Sequence, residues 1–229
     1  MKLPSPSTNR ARFFDAVRTT DVTPPSTPNS RSDRPARSPR VVCLAGPSDS
    51  GKTTLVEELV PRLADRGDRV ATVKSIHHDI EIDTPGADTH RHRTAGAETV
   101  VGITPELTFD VTARGKREPP AVPTGSDGSE WLDTAESADD GPRAQRERRA
   151  LASTLARLER RGYDVVLVEG FSAVALPTIL VGDREPSEVG GPIVGHADDD
   201  LEALVDEIRT LEGVSFRGGD DGSGEPDRE

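Results

Sequence analysis

The chain has 229 residues, 41 of them acidic and 29 basic, for a net charge of −12; hydrophobic residues make up 32% and aromatics 3%. That length supports one domain with its own core, but the lean apolar content predicts a smaller core carrying polar segments that do not pack. The acid excess argues against general nucleic-acid binding, which runs on many basic phosphate contacts; no apolar run approaches the length of a membrane span; and the single Cys43 leaves no intramolecular disulfide.

Residues 1–39 are rich in Pro, Ser, Thr and Arg. Such a stretch cannot bury enough apolar surface to offset its ordering entropy, so it is expected to be a disordered arm with no apolar signal-peptide core. "RVVCLAG" (40–46) reads as a buried strand. "KTTLVEELVPRLADRG" follows as a helix, with Leu55, Leu59 and Leu63 on one face, Gly67 as its stop and Pro61 inside it as a kink. "RVATVKSI" is a second strand, and "DTHRHRTAGAETV" a helix running into a third. "TPELTFDVTA" (104–113) supplies one more strand. Residues 114–142 are rich in Gly, Pro and acid, and read as a flexible insertion carrying Trp131.

"RAQRERRALASTLARLERRG" is an amphipathic helix with Leu151, Leu155 and Leu158 on its apolar face. "YDVVLVEG" and "LPTILVGD" are further strands, the first apolar throughout. "DDDLEALVDEIRTLEG" closes the core, with a capping box expected between Asp199 and Glu202 and a stripe of Leu201, Leu204, Val205 and Ile208. Residues 217–229 form a solvated tail. Alternating strands and helices, with strands apolar on both faces, predict an α/β fold: a three-layer domain over 40–216 with a mostly parallel sheet.

"GPSDSGKTT" fits G-x-x-x-x-G-K-[ST] between a strand and a helix. Gly46 and Gly51 let backbone N–H groups close on a polyphosphate, and the helix N-terminus adds partial positive charge. Ser48, Asp49, Ser50 and Thr54 complete the loop. Lys52 is expected on the β and γ phosphates and Thr53 on Mg²⁺. This predicts a P-loop nucleoside triphosphatase domain. Lysine is scarce (Lys2, Lys52, Lys74 and Lys116 only), which makes its use here informative. Glu169, ending an apolar strand, suits the second motif that holds Mg²⁺ or the attacking water. Lys52 and Glu169 are thus the catalytic candidates, Thr53 and Glu169 the metal ligands. Asp183 stands where a guanine-reading Asp would, and equally where a turn needs one. The carboxylate excess with few lysines also suits a protein working in concentrated salt.

Four of the five histidines fall in "SIHHDIEIDTPGADTHRHRTAGAE" (75–98): His77, His78, His90 and His92. This segment resembles the molybdopterin-guanine dinucleotide biosynthesis protein B family. The resemblance rests on Lys74, His77, His78 and Asp79, on Asp83, Pro85, Gly86 and Asp88, on the basic run with Arg91 and Arg93 into Ala95–Gly96–Ala97, and on "LVEGF" at 167–171. Ala87 and His90 depart from the Lys and Tyr common there. The resemblance implies a GTP- and Mg²⁺-binding, weakly hydrolysing cytoplasmic protein, a homodimer, assisting the molybdenum cofactor guanylyltransferase that joins GMP to molybdopterin. Molybdopterin itself is an implied ligand. His77, His78, Asp79, Arg91 and Arg93 are then nucleotide-side or anion contacts.

Three other readings stay open on sequence, one of them a scaffold that binds nucleotide without useful turnover. In a nickel or zinc delivery GTPase the histidines would be ligands, although adjacent His77 and His78 on extended chain point to opposite faces. In a small-molecule kinase Arg143, Arg146, Arg148 and Arg149 would clamp a transferred phosphoryl group.

Overall fold

The computed structural model describes residues 37–121 and 141–216. The expected arm up to residue 36, positions 122–140 of the expected insertion and the tail at 217–229 lie outside them. Seven strands and four α-helices are described: β1 (Arg40–Ala45), α1 (Lys52–Asp65), β2 (Val70–Lys74), α2 (Asp88–Thr94), β3 (Thr99–Ile103), β4 (Thr108–Thr112), α3 (Pro142–Arg160), β5 (Val165–Glu169), β6 (Thr178–Leu180), β7 (Ile193–His196) and α4 (Leu201–Thr210).

Five strands make one parallel sheet in the order β2-β5-β1-β6-β7. Side chains alternate along each strand, and the two faces receive different helices. Val41, Cys43, Val166 and Val168 pack with Leu151, Leu155 and Phe216 on the α3 side. Val42, Leu44, Val165 and Leu167 pack with Leu55, Leu59, Leu63 and Ile208 on the α1 and α4 side. The expected three layers are present. Each fully buried Leu of the α1 stripe contributes on the order of 2 kcal/mol.

α1 runs through Pro61 as one element. It ends in paired bonds from Gly67 N–H to the Ala64 carbonyl and from Asp68 N–H to that of Leu63, the 5→2 and 6→1 pattern that satisfies a helix end. α3 carries a buried carboxylate, Glu159, 3% exposed. It accepts from Phe216 N–H at 2.8 Å and from the hydroxyls of Ser38 and Ser215. Both ends of the described core therefore meet on one satisfied charge.

One expectation needs correction, and two features were not foreseen. β3 and β4 do not join the parallel sheet: they form a separate antiparallel hairpin, because the four residues between them are too few for a parallel crossover. The cap of α4 is Asp200, which accepts from Ala203 N–H at 3.0 Å; Asp199 instead closes the preceding turn on His196 N–H at 2.6 Å. Finally, β7 was not foreseen, since four residues that follow "GGP" and contain a glycine carry little strand signal.

Candidate functional site

β1, β5 and β2 end level with one another. Leu44 pairs with Glu169, and Lys74 pairs with Glu169 from the other side. Crevices outside the carboxyl ends of parallel strands are where such sheets bind ligands, and a cleft of about 940 Å³ opens here.

The loop between β1 and α1 forms one wall. All residues from Gly46 to Thr54 line the cleft. Gly46 must be glycine, since a Cβ there would stand 2.3 Å from the Val181 carbonyl oxygen. Gly51, the residue before α1, has φ +95°, a conformation other residues adopt only with strain. Lys52 folds back over the loop: its ammonium donates to the Gly46 carbonyl at 2.9 Å, to the Pro47 carbonyl and, at 3.4 Å, to Ser50 Oγ. It is thereby held at the loop's centre with carbonyl partners that an anion can replace.

Glu169 faces this wall. Its Oε2 accepts from Thr53 Oγ1 at 3.2 Å, and its Oε1 accepts from Lys74 Nζ at 2.8 Å. Lys74 also lies 3.4 Å from Thr53 Oγ1. A hydroxyl and a carboxylate converging like this form an oxygen pair that fits Mg²⁺, a hard cation bound through few protein oxygens. Behind them Cys43 donates to the Gly170 carbonyl at 3.0 Å. Burial pushes its thiol up to about 12, so it is no nucleophile at neutral pH.

His77 and His78 line the cleft beyond β2. Ser75 and Ile76 line it with them, whereas no residue of the segment from Asp79 onward does. Asp79 pairs with Arg117 at 3.0 Å. Asp83 accepts from Thr84 N–H at 2.8 Å, a turn-closing role. Arg93 forks onto Glu81 at 2.6 Å, and Arg91 meets Asp88 at 3.4 Å. The Asp83 backbone N–H and then the Arg93 guanidinium hold the Glu81 carboxyl below its usual range. Among the described residues no three His, Cys, Asp or Glu side chains gather as a metal site. His90 faces Glu81, and His92 lines a different hollow.

Three charged cleft residues were given no site role from the sequence. Lys74 had a signal, its scarcity in a chain of four lysines. Arg184, whose buried Nε finds no partner, and Glu147 of α3 had none. Arg184 lines the cleft where the sequence pointed to its neighbour Asp183, which does not. The four arginines weighed as a phosphoryl clamp are absent from the cleft wall; Arg143 pairs with Glu147 at 3.3 Å instead.

The chain is similar in sequence to known proteins. The sequence model of the family described as "MobB: Molybdopterin guanine dinucleotide synthesis protein B" matches residues 41–123. A protein of Escherichia coli K12 named "Molybdopterin-guanine dinucleotide biosynthesis adapter protein" is 27% identical over 185 residues, covering 76% of this chain and 89% of that one. One of Haemophilus influenzae with the same name is 32% identical over 142 residues, and the chain spans 62% of its length. Among solved structures, "Bacillus subtilis MobB" aligns over 73% of this chain and 97% of that one, with TM-score 0.46 and 18% identity. A structure titled "molybdopterin-guanine biosynthesis protein B" aligns over 74% and 96%, with TM-score 0.45 and 24% identity.

Proposed function

We propose that this chain is a member of the molybdopterin guanine dinucleotide synthesis protein B family, whose sequence model matches residues 41–123, and that it is a GTP-binding adapter for guanylation of molybdopterin. Its place is in molybdenum-cofactor biosynthesis, the pathway named by its curated relatives. The observation that carries the nucleotide half of the proposal is Lys52, held on the Gly46 carbonyl and lining one cleft with the Thr53–Glu169 pair.

In this reading the backbone N–H groups of Gly51, Lys52, Thr53 and Thr54 and the α1 N-terminus take the phosphates, with Ser48, Asp49 and Ser50 shaping the loop. Lys52 exchanges loop carbonyls for phosphate oxygens. Thr53 Oγ1 and Glu169 hold Mg²⁺, which supplies charge neutralisation when bound. Glu169 also orients water, for a slow hydrolysis. Lys74 compensates Glu169. His77 and His78 sense the nucleotide from the cleft edge. Asp79, Arg91 and Arg93, turned elsewhere by their own ion pairs, offer contacts to a partner or to molybdopterin rather than to the phosphates.

The partner of the reading is the molybdenum cofactor guanylyltransferase. A second copy of this chain completes it: Val101, Ile103, Leu107 and Phe109 of the hairpin are exposed, and an apolar patch of that kind suits association. In this reading the protein works in the cytoplasm. As for the parts of the chain, 40–216 is the nucleotide-binding domain, and 1–39, 114–142 and 217–229 are accessory to it.

The test is a reconstituted guanylation assay, with transferase, molybdopterin and GTP, run with and without this protein. The account expects product formation to rise on addition, to lose that rise with Lys52→Ala, and to lose part of it with His77→Ala while GTP binding stays near normal. No rise with the wild-type chain would contradict it. Stoichiometric Ni²⁺ or Zn²⁺ binding that requires His77 and His78 would instead favour metal delivery.

A further inference from the structure

β1 lies between β5 and β6, so the phosphate loop leaves the sheet with one neighbour on each side. On one side β5 ends in Glu169, paired with Leu44. On the other β6 ends in Leu180, paired with Ala45, and Val181 then donates its N–H to the Ala45 carbonyl at 2.8 Å. The turn after β6 is fitted to the loop. Gly46 has no room for a side chain beneath the Val181 carbonyl, and a Cβ on Gly182, whose φ is +67°, would stand 3.1 Å from Ser50 Cβ. Arg184 follows this turn, and it lines the same cleft as Lys52, Thr53 and Glu169.

The fold holds the Arg184 side chain only weakly. Its buried Nε has no hydrogen-bond partner among the described residues. Its ion-pair partner there is Glu188, whose Oε1 stands 3.7 Å from Nη1 on a half-exposed side chain. An exposed pair of that kind contributes little. The other oxygen of Glu188 is already taken, accepting from Glu185 N–H at 3.0 Å. Buried donors are normally paired, so an unbonded guanidinium nitrogen in the wall of a ligand cleft calls for an acceptor on the ligand.

We propose that Arg184 reads the guanine base, its guanidinium donating to O6 and N7. The inference rests on the nucleotide reading of the cleft and deepens it. In that reading the terminal phosphates lie on the Thr53–Glu169 side. The nucleoside end then lies across the loop, on the β6 side, where the turn brings Arg184 into the cleft. Guanine presents two acceptors, O6 and N7, on one edge, whereas adenine presents an acceptor beside a donor. A guanidinium carries donors only, in a planar fork. It therefore fits guanine and sets a donor against the amino group of adenine. Asp183, an acceptor that would need the guanine N2 donor instead, does not line the cleft.

The test compares the full-length wild-type chain with Arg184→Ala by calorimetric titration of GTP, 7-deaza-GTP, ATP and inorganic tripolyphosphate, each with Mg²⁺. The deaza analogue carries C–H in place of N7 and leaves the rest of the nucleotide intact. In wild type, GTP is expected to bind about tenfold or more tighter than 7-deaza-GTP or ATP. In Arg184→Ala that preference is expected to vanish, the three nucleotides binding alike. Tripolyphosphate, which needs only the loop, should bind both proteins equally and so reports that the variant is folded. An unchanged ratio of GTP to 7-deaza-GTP affinity in the variant would overturn the assignment, as would equal affinities for the two in wild type. A matching loss of tripolyphosphate affinity would put Arg184 on the phosphates and overturn it as well. Failure of wild type to bind GTP and tripolyphosphate alike would instead overturn the nucleotide reading, and this inference with it.

Discussion

Lys74 Nζ lies 2.8 Å from Glu169 Oε1, and strand register puts it there: the two are paired residues at the carboxyl ends of β2 and β5. The lysine is half exposed and the glutamate only 15% so. The pair therefore offsets a half-buried carboxylate next to Thr53 and adds positive charge beside the phosphate loop.

Lys74→Met tests that balance. Without Mg²⁺, GTP affinity is expected to fall about tenfold, equivalent to about 1.4 kcal/mol, since Glu169 then faces the phosphates uncompensated. Adding Mg²⁺ should recover most of the loss. Titrations in EDTA and in Mg²⁺ read both; unchanged affinity in EDTA would remove the role given to Lys74.

A second prediction concerns pH. The Arg161 hydrogen bond, aided by the charge of Arg157, holds the Asp110 carboxyl below its usual range. A carboxylate depressed in the folded state adds stability above its unfolded pKa, about 3.9, and that stability is lost as pH falls through the folded value. Asp110→Asn should thus lower the melting temperature at pH 7 by about 1–3 °C. The gap to wild type should shrink as pH falls below the unfolded value, through the lower folded one. A gap that persists in acid would show packing, not charge, at work.

Phe216 is fully buried against α3 and β1. Phe216→Ala should cost about 3–5 kcal/mol, read by urea denaturation, with GTP affinity per folded molecule unchanged. A loss below about 1 kcal/mol would mean the last described residues are not part of the core.

The acid excess carries its own prediction. Repulsion among 41 carboxylates is screened by salt, so the melting temperature should rise with KCl into the molar range. A flat series would dismiss salt adaptation.

The layers of the fold were legible in the sequence, because short continuous apolar runs and the Leu55–Leu59–Leu63 spacing are local signals. So was the loop from Gly46 to Thr54, whose chemistry needs those residue types side by side. What could not be read locally was anything set by pairing at a distance. The β3–β4 hairpin looks like two more strands until its short connection is weighed. Lys74 becomes part of the site only through register with β5, and Arg184 only through the turn after β6. Asp199 and Asp200 offer the same cap chemistry one residue apart, and the turn to His196 decides between them. The basic run with Arg91 and Arg93 resembles an anion contact in sequence, yet Glu81 and Asp88 claim those guanidinium groups in the fold.

The most direct measurement is a calorimetric titration of GTP with Mg²⁺ into the wild-type chain and into Lys52→Ala, with ATP as competitor. The account predicts saturable, stoichiometric GTP binding that ATP competes poorly, weakened at least about 100-fold, or about 2.7 kcal/mol, in the variant, whose melting curve stays unchanged. Equal affinity in the two proteins would contradict the phosphate-loop reading, and preference for ATP would contradict the choice of GTP.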